Sequence, residues 1–348
     1  MNRILFAGGG TAGHIEPAWA TSQVWQKRHP GDEIAFLGTN SGLEVTLIPD
    51  RDGKLFLIPK VIAPRRIDLN LALFPVKLIH SIIKTATIVR DFDVVVGFGG
   101  YVAAPAYVAA LFTGKPIVIH DQNAKVGLAN KLGSKFAKAI CVAYPNGAKS
   151  LKGAKVVGNP LRGDLVEAAI IAERDWAKAR NAAKKKLDVN GDLVLVLGGS
   201  SGSKAINEVI AKSKFENCTV IHSVGKLNDL PPATEKYRPV NYIEDVATAL
   251  LAADLVISRS GAIAVTEFAA LGKYALFIPL PIGNGEQALN AAELVAAHRA
   301  ELISQSEFTP EWLTKNLERL LKQGSESAFG TNLNSADLIA DSIESVLR

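Results

Sequence analysis

The chain has 348 residues, 48% of them hydrophobic, with a formal net charge of +5 and a pI near 9.0. This composition excludes a disordered chain, and the length exceeds what one hydrophobic core usually organises, so two domains are expected. Two cysteines are too few for a disulfide framework, and the apolar start at residues 4–6 is too short for a secretory signal. We therefore expect a protein of the cell interior whose charge favours an anionic partner, either a nucleotide diphosphate, an acidic lipid surface or nucleic acid.

The chain opens on an apolar strand at residues 3–7, followed by a glycine loop at residues 8–14 and a helical stretch at residues 18–26. The same order returns later, as a strand at residues 193–197, a glycine loop at 198–203 and a helix at 204–212. Further strand candidates alternate with helical patterns at residues 34–37, 94–96, 117–119, 220–222, 255–257 and 275–278. This alternation predicts an α/β protein with two Rossmann-like, doubly wound parallel sheets.

The segment 157–162 contains Gly158, Asn159 and Pro160 and is the predicted linker between the halves. We expect an N-terminal domain at residues 1–158 and a C-terminal domain at residues 163–330. Two such domains are expected to face each other across a cleft, because ligands of open α/β sheets bind at the carboxyl ends of the strands. The longest apolar stretch, residues 101–112, is interrupted by Pro105 and is too short for a transmembrane helix.

Gly8, Gly10 and Gly13 satisfy the G-x-G-x-x-G pattern of dinucleotide-binding loops. That interpretation also needs a carboxylate at the end of the second strand, where this chain has residues 36–39 without one, so a nicotinamide or flavin enzyme is disfavoured. Gly8 and Gly9 fit a tight turn as well as ligand contact. A hydroxyl at Thr11 and an imidazole at His14, beside a helix start, favour a functional loop.

Six ordered motifs make a resemblance specific: residues 9–15 (GGTAGHI), 97–101 (GFGGY), 120–124 (HDQNA), 158–162 (GNPLR), 198–200 (GGS) and 258–267 (SRSGAIAVTE). In order and spacing they resemble the MurG family. The resemblance implies a GT-B glycosyltransferase fold with two Rossmann-like domains. It also implies inverting transfer of N-acetylglucosamine from UDP-N-acetylglucosamine to lipid I, undecaprenyl-diphospho-N-acetylmuramoyl-pentapeptide, which gives lipid II in peptidoglycan synthesis.

The resemblance further implies that the final helix, at residues 335–348, packs back on the first domain. It assigns substrate binding to residues of both halves: Thr11, Ala12, Gly13, Asn123, Arg162, Ser200, Ile243, Ala262, Ile263, Ala264, Val265, Thr266, Glu267 and Gln287. Ser200 and Arg162 suit the diphosphate, Glu267 the ribose hydroxyls and Ile243 the uracil. Gln287 and Asn290, three apart on one helix face, suit sugar hydroxyls, unless Gln287 caps its helix and Asn290 faces water.

An inverting reaction needs one base and one stabiliser of the departing charge. We predict His14 as the base. Asp121 is its rival, or else it orients His14 or binds the acceptor; the family usually has glutamate there, and glycine at Ala12. No metal and no cofactor is required, because the D-x-D triplets at residues 50–52 and 91–93 adjoin no glycine loop and the histidines and cysteines lack zinc-site spacing.

Apolar residues with basic neighbours suggest a membrane contact, although the same pattern fits a helix that packs on the sheet. The residues are Leu69, Leu71, Leu73, Phe74, Val76, Leu78, Ile79, Ile82 and Ile83, with Lys60, Arg65, Arg66, Lys77 and Lys84. The lipid acceptor favours a peripheral protein at the cytoplasmic face of the bacterial cell membrane, with no nucleic-acid partner. The alternatives are another UDP-sugar lipid glycosyltransferase, a UDP-N-acetylglucosamine epimerase and a non-catalytic nucleotide-sugar-binding subunit.

Overall fold

The computed structural model describes residues 1–61, 69–199, 201–281, 285–324 and 332–348. They form two compact units, Met1–Arg162 with Asn332–Arg348, and Gly163–Thr331. Each unit is a parallel sheet covered by helices, which is the doubly wound architecture predicted from the alternating pattern. In the part of the chain so described, no helix combines the length and apolar character needed to cross a bilayer.

The sheet of the first unit has seven strands in the order β3-β2-β1-β4-β5-β6-β7. These are β1 (Arg3–Ala7), β2 (Glu33–Thr39), β3 (Leu55–Ile58), β4 (Val94–Gly97), β5 (Ile117–Asp121), β6 (Ala139–Val142) and β7 (Lys155–Val156). The helices are α1 (Ala12–Arg28), α2 (Glu44–Leu47), α3 (Leu69–Val89), α4 (Gly100–Thr113), α5 (Leu128–Gly133) and α6 (Pro145–Ser150), with a 3-10 turn at Pro49–Arg51. Apolar cores fill both faces of this sheet.

The sheet of the second unit has six strands in the order β10-β9-β8-β11-β12-β13. These are β8 (Asp192–Leu197), β9 (Cys218–Ser223), β10 (Tyr237–Val240), β11 (Leu255–Ser258), β12 (Ala275–Phe277) and β13 (Ala300–Leu302). The helices are α7 (Gly163–Arg174), α8 (Trp176–Lys186), α9 (Lys204–Lys212), α10 (Val246–Ala252), α11 (Ala262–Ala270), α12 (Glu286–Asn290), α13 (Ala292–Ala296) and α14 (Pro310–Gln323).

The last helix, α15 (Ser335–Leu347), packs on the first unit. Its residues Ile339 and Ile343 are fully buried in the core that also contains Ile4 of β1. At the surface of the same contact, Arg28 of α1 donates to Asp337 and Asp341, each at 2.6 Å. Apolar burial and ion pairs therefore both attach this helix to the sheet of the first unit.

Two sequence-based boundaries need correction. The first helix begins at Ala12 rather than at residue 18, because Pro17 removes only one backbone hydrogen bond and the helix continues through it. Thr11 is extended, with φ of −135°, and stands at the N-cap. The strand predicted at 117–119 continues to Asp121, so the motif that follows begins inside the sheet.

The strand order positions the candidate site in each unit. It reverses at β1 and β4 in the first unit and at β8 and β11 in the second. Ligands of open α/β sheets bind outside the carboxyl ends of strands at such a reversal. The two glycine loops follow β1 and β8, which places both at these positions.

Candidate active site

The first glycine loop connects β1 to α1 and packs against the loop that follows β4. A side-chain carbon at Gly8 would lie 2.8 Å from the main-chain oxygen of His14. One at Gly100, where φ is +80°, would lie 2.6 Å from the main-chain oxygen of Gly9. Both glycines are needed for close approach of main chains. For Gly8, internal packing is therefore the interpretation that the structure favours.

His14 lies in the first turn of α1 and is partly buried. Its Nδ1 is 3.0 Å from the hydroxyl oxygen of Thr11, which is exposed. Burial lowers the pKa of His14 to about 4, against an opposing effect of the negative charge of Glu44. The imidazole is therefore neutral at pH 7. A side-chain carbon at Gly99 would lie 3.4 Å from Nε2, so this glycine preserves space beside that nitrogen.

Glu44, at the start of α2, is a component of the loop that the sequence analysis missed. It is fully buried, and its Oε2 accepts a hydrogen bond from the Gly10 amide at 2.7 Å. Its Oε1 accepts from the amide of Thr39 at 2.8 Å and from the Thr39 hydroxyl at 3.1 Å. The only signal in the sequence was a glutamate among small and apolar residues shortly after a strand that ends without a carboxylate.

Asp121, the predicted rival base, is buried at the end of β5 and binds its own loop. Its Oδ1 accepts from the Asn123 amide at 3.0 Å, and its Oδ2 accepts from the Gly127 amide and the Asn130 side chain, each at 2.9 Å. Burial raises the pKa of Asp121, and these hydrogen bonds oppose the rise. A carboxylate with both oxygens so engaged is better suited to hold the loop that carries Asn123 than to receive a substrate proton.

Asn130 connects that loop to the glycines after β4. Its Oδ1 accepts from the Tyr107 hydroxyl at 2.7 Å, and its side-chain nitrogen also donates to the main-chain oxygen of His120 at 3.1 Å. A side-chain carbon at Gly97 would overlap the Tyr107 hydroxyl. Burial raises the pKa of Tyr107 well above its usual value, so the phenol stays a neutral donor. The glycines of the 97–101 motif are therefore explained partly by the Tyr107 ring.

The segment that carries Arg162 is attached to the same strand end. Nε2 of the buried His120 lies 2.9 Å from the main-chain oxygen of Gly158. The Asn159 side chain donates to the main-chain oxygen of Gln122 at 3.2 Å. Burial lowers the pKa of His120 to about 4, so this imidazole is a neutral donor that holds the two segments together. The structure thus brings the segments of Asn123 and Arg162 to one edge of the first sheet.

The second glycine loop connects β8 to α9, and Ser200 in it lies outside the described residues. A side-chain carbon at Gly199, where φ is +89°, would meet no described atom within 4 Å. Gly202 is different, because a side chain there would overlap the main-chain oxygen of Val224. The Asn228 side chain donates to the main-chain oxygens of Ser201 and Val224, at 3.1 and 3.0 Å, and fixes the far side of the loop.

Arg259 lies in the motif at residues 258–267, which predicts no role for it, and its guanidinium contacts four neighbouring groups. Its guanidinium donates to the Ser203 hydroxyl at 2.8 Å and to Gln305 Oε1 at 2.7 Å. It also donates to the main-chain oxygens of Ile278 and Pro279, at 2.9 and 3.1 Å. Arg259 therefore connects the segments that follow β8, β11, β12 and β13 at one edge of the second sheet.

The predicted run from Ala262 to Glu267 forms the first two turns of α11, which begins after Gly261. Glu267 is half-buried in the second turn of this helix. The sequence suggested a position directly after the small residues that follow β11, which is one helical turn earlier. Ala262 and Val265 face the core, and the remaining residues of the run, Ile263, Ala264 and Thr266, are half-buried. Ile243 is half-buried in the loop between β10 and α10.

Gln287 and Asn290 lie on α12, and each contacts a neighbouring main chain. Gln287 Oε1 accepts from the Leu280 amide at 2.9 Å. The Asn290 side chain is buried and donates to the main-chain oxygen of Ser260 at 3.2 Å. The alternative in which Asn290 faces water is wrong. Asn290 instead holds the turn before α11, while Gln287 holds the chain that follows β12.

The predicted site residues thus divide between two strand-end clusters. The first unit groups Thr11, Ala12, Gly13, His14, Asp121, Asn123 and Arg162. The second unit groups Ile243, Gln287, Asn290 and the start of α11. The first cluster contains the imidazole of His14 beside the buried carboxylates of Glu44 and Asp121, whereas the described part of the second combines amides, the Arg259 guanidinium and a helix start with the half-buried carboxylate of Glu267. The first is equipped to move a proton and the second to receive a polar, anionic ligand.

Comparison with known proteins gives the same division. The model of the glycosyltransferase family 28 N-terminal domain matches residues 4–142, and that of the family 28 C-terminal domain matches residues 193–343. A crystal structure of MurG from Acinetobacter baumannii superposes with a TM-score of 0.75 at 29% identity and covers 99% of this chain and 100% of that one.

Two relatives carry the name UDP-N-acetylglucosamine–N-acetylmuramyl-(pentapeptide) pyrophosphoryl-undecaprenol N-acetylglucosamine transferase. That of Corynebacterium diphtheriae is 40% identical and covers 99% of this chain and 97% of its own. That of Streptomyces coelicolor is 42% identical, with 90% and 88% covered. The similarity therefore extends over almost the whole length of each protein.

Proposed function

The chain belongs to glycosyltransferase family 28 and, within it, to the MurG family, and we propose that it transfers N-acetylglucosamine from UDP-N-acetylglucosamine to lipid I to form lipid II. It is a hexosyltransferase with the GT-B fold and acts in peptidoglycan synthesis. Identity of about 40% over nearly the full length favours this reaction over an epimerase or a non-catalytic subunit.

The observation that carries the mechanism is the position of His14. A neutral imidazole in the first turn of α1, with Nδ1 beside the Thr11 hydroxyl and Nε2 beside Gly99, which has no side chain to cover it, is suited to accept a proton. We assign Nδ1–H as the donor to Thr11, which leaves Nε2 as the base. The acceptor hydroxyl attacks the anomeric carbon, its proton passes to Nε2, and the bond from that carbon to the diphosphate breaks on the opposite face.

The donor is assigned mainly to the second unit. The first turns of α11 and the described part of the loop at residues 198–203 offer main-chain amides to an anion, and the family resemblance assigns the positive charge of Arg162 to the same diphosphate. Glu267 is assigned to the ribose, Ile243 to the uracil, and Gln287 with Asn290 to the sugar side. Since these groups supply the charge that the leaving diphosphate needs, we propose that transfer requires no metal, and EDTA is expected to leave the rate unchanged.

A peripheral contact with an anionic membrane surface, on the cytoplasmic face, is part of the proposal. Val76, Ile79 and Ile83 share one face of α3 and are 57 to 65% exposed, with Lys77 and Lys84 exposed beside them. Phe74, Leu78 and Ile82 are half-buried on a helix that packs on α4, so α3 has both a packed and an open apolar face. The structure does not describe Arg65 and Arg66, nor the side chains of Leu69 and Leu71.

Flotation with anionic vesicles tests the membrane contact. Replacement of Ile79 and Ile83 by serine is expected to release the protein from the vesicles because each exposed apolar side chain contributes about 1.5–3 kcal/mol when buried. The matched change Ile170→Ser with Ile171→Ser, on the exposed side of α7, is expected to leave binding intact. Equal binding by both double variants contradicts a membrane role for α3.

A transfer assay with radiolabelled UDP-N-acetylglucosamine and a lipid I analogue tests the main proposal. The wild type is expected to label the lipid, and His14→Ala is expected to lower kcat by about 10²–10⁴-fold, the usual contribution of a general base. His29→Ala, at the other end of the same helix, is the control and is expected to retain activity. A folded wild type that binds UDP and labels no lipid contradicts the acceptor and favours the epimerase or another lipid acceptor.

A further inference from the structure

The inner side of the first glycine loop is occupied by a side chain of the protein itself. The Glu44 carboxylate accepts three hydrogen bonds, from the Gly10 amide, the Thr39 amide and the Thr39 hydroxyl, at 2.7, 2.8 and 3.1 Å. Glu44 is completely buried. A buried carboxylate needs such compensation, because leaving it without partners would cost several kcal/mol. The loop and the strand end supply it.

Three glycines make room for this carboxylate. A side-chain carbon at Gly9 would lie 2.7 Å from Glu44 Oε1. Side chains at Gly38, in β2, and at Gly42, in the turn before α2, would overlap atoms of Glu44. Glycines from three separate segments thus lack side chains where the glutamate is placed. The role of Gly9, which the sequence left open between turn and ligand contact, is to admit Glu44.

In dinucleotide-binding units, amides of the corresponding glycine loop bind the pyrophosphate of the ligand. Here the Gly10 amide already has an anionic partner, and that partner comes from the chain itself. We propose that Glu44 is a positioning residue of the active site: its carboxylate fills the inner side of the first glycine loop in place of a ligand anion and holds the loop in the form that presents Thr11 and His14. The inference rests on the proposed function only for the role of His14.

The path from Glu44 to His14 is short. The Gly10 amide is held by Glu44, the next residue is the N-cap Thr11, and the main-chain oxygen of Thr11 accepts from the His14 amide at 3.1 Å. The Thr11 hydroxyl contacts the imidazole as well. Loss of the carboxylate therefore frees the segment that sets both the backbone and the ring of His14. The negative charge of Glu44 also opposes the effect of burial on the pKa of His14.

The test is Glu44→Gln, which keeps the size of the side chain, replaces an acceptor by a donor and removes the charge. Its matched control is Glu16→Gln, two residues beyond His14, where the carboxylate pairs with Arg51 and contacts no loop amide among the hydrogen bonds described. Hydrogen exchange of the Gly10 and Thr39 amides, followed by NMR, is expected to accelerate about 10–100-fold in Glu44→Gln, as loss of a bond to a charged group predicts. Glu16→Gln is expected to exchange like the wild type.

Kinetics give the second readout. In Glu44→Gln we expect kcat to fall about 10–100-fold because the base is displaced, with KM for UDP-N-acetylglucosamine within about twofold of the wild type. Unchanged exchange at Gly10 overturns the contact. Faster exchange with unchanged kcat, or a rise in KM that accounts for the whole loss, overturns the positioning role. If the wild type itself transfers no sugar, the proposed function fails and the exchange result still decides whether Glu44 holds the loop.

Thr39→Val provides a second variant should Glu44→Gln fail to fold. It removes one donor to the carboxylate and keeps the branched shape that suits β2. Exchange of the Gly10 amide and kcat are both expected to change in the same directions by about 2–10-fold, less than in Glu44→Gln, because the carboxylate keeps its charge and two of its three donors. Wild-type values for both quantities contradict the inference.

Discussion

The two glycine loops of this protein occupy equivalent positions and are stabilised in opposite ways. Each follows the first strand of its sheet in chain order, at the reversal of the strand order, and opens a helix, at residues 8–14 and 198–203. The first is filled by the carboxylate of Glu44, so that a side chain at Gly9 has no room. Around Gly199 in the second, no described atom lies within 4 Å of the same position. A glycine pattern thus specifies a backbone shape and leaves the occupant undecided.

The charges nearest the loops differ in sign. A carboxylate stands behind the first loop, whereas the guanidinium of Arg259 donates to Ser203 at the end of the second. The negative charge of Glu44 disfavours the binding of an anion at the first loop, whereas the positive charge of Arg259 favours it at the second. In the proposed mechanism, this difference is the reason why the first copy of the fold unit is assigned to proton transfer and the second to the nucleotide diphosphate.

The largest effect is expected from Gly202→Ala in the second loop. Gly202 has φ of +73°, and a side chain there would overlap the main-chain oxygen of Val224. This oxygen cannot move away because Val224 directly follows β9. We expect the free energy of unfolding to fall by about 3–5 kcal/mol and UDP binding to be lost. Urea denaturation followed by circular dichroism, and calorimetry with UDP, measure both quantities.

Gly199→Ala is the control for this prediction. It has the same left-handed backbone, with φ of +89°, but a side chain there would meet no described atom within 4 Å. Its cost is therefore the backbone strain alone, about 1–2 kcal/mol. If the two alanine variants are equally stable, the close contact between Gly202 and Val224 does not shape the loop, and the contrast between the loops loses its structural basis.

Arg259→Gln is expected to have the next largest effect. The guanidinium makes four hydrogen bonds to three segments, and glutamine can replace one or two of them. We expect Kd for UDP to rise about 10–50-fold, because the second loop loses its anchor, with exchange of the Gly10 amide in the first loop unchanged. Calorimetry and NMR provide the two measurements. An unchanged Kd contradicts the role of Arg259.

The sequence predicted the repeated strand–loop–helix order because apolar strands and glycine turns are local signals. Helix α9 was predicted with its observed ends, Lys204–Lys212. Five strands were missed for equally local reasons, namely β3, β6, β7, β10 and β13. Each has two to four residues, four of them lie at the edges of their sheets, and β10 contains Pro239. Short or proline-containing edge strands carry no alternating pattern long enough to detect.

The site was predictable only where a motif contained the contact. Thr11 and His14 lie three residues apart, and their contact is the kind that one turn of helix provides. Glu44 lies 34 residues from Gly10, and Arg259 lies 56 residues from Ser203. Both contacts arise because parallel strands bring distant segments to one sheet edge. Their partners could not be identified before the strand order was known.

The fall in activity at acid pH tests whether His14, in the first loop, is the base that titrates. Since the folded pKa of His14 is about 4, the base stays neutral down to about that pH. We therefore expect kcat/KM to stay constant as the pH falls through about 6.5, the usual pKa of histidine, and to fall about tenfold per pH unit only below pH 4. A fall near pH 6.5 contradicts His14 as the titrating base in its observed environment.

Acid unfolding must be separated from this effect. Burial also lowers the pKa values of His120 and His222 to about 4, one in each unit. Their folded values lie below the unfolded value of about 6.5, so the folded state binds fewer protons and stability falls as pH drops from about 6.5 towards 4. Circular dichroism at each pH separates the two effects: a loss of activity with an unchanged spectrum reports protonation of the base, whereas a change in the spectrum at the same pH reports unfolding.

The smallest effect is expected from Thr11→Val, which removes the hydroxyl beside His14 Nδ1 and keeps the side-chain shape. If this contact only orients the imidazole, kcat falls about 2–10-fold and KM for UDP-N-acetylglucosamine stays constant, as loss of one neutral hydrogen bond predicts. Thr11→Ser, which retains the hydroxyl, is expected to keep full activity. A rise in KM with constant kcat instead assigns Thr11 to the donor, as the family resemblance implies. The first loop would then bind ligand on its exposed side while Glu44 fills its inner side, and the two loops would differ in how they are supported rather than in whether they bind substrate.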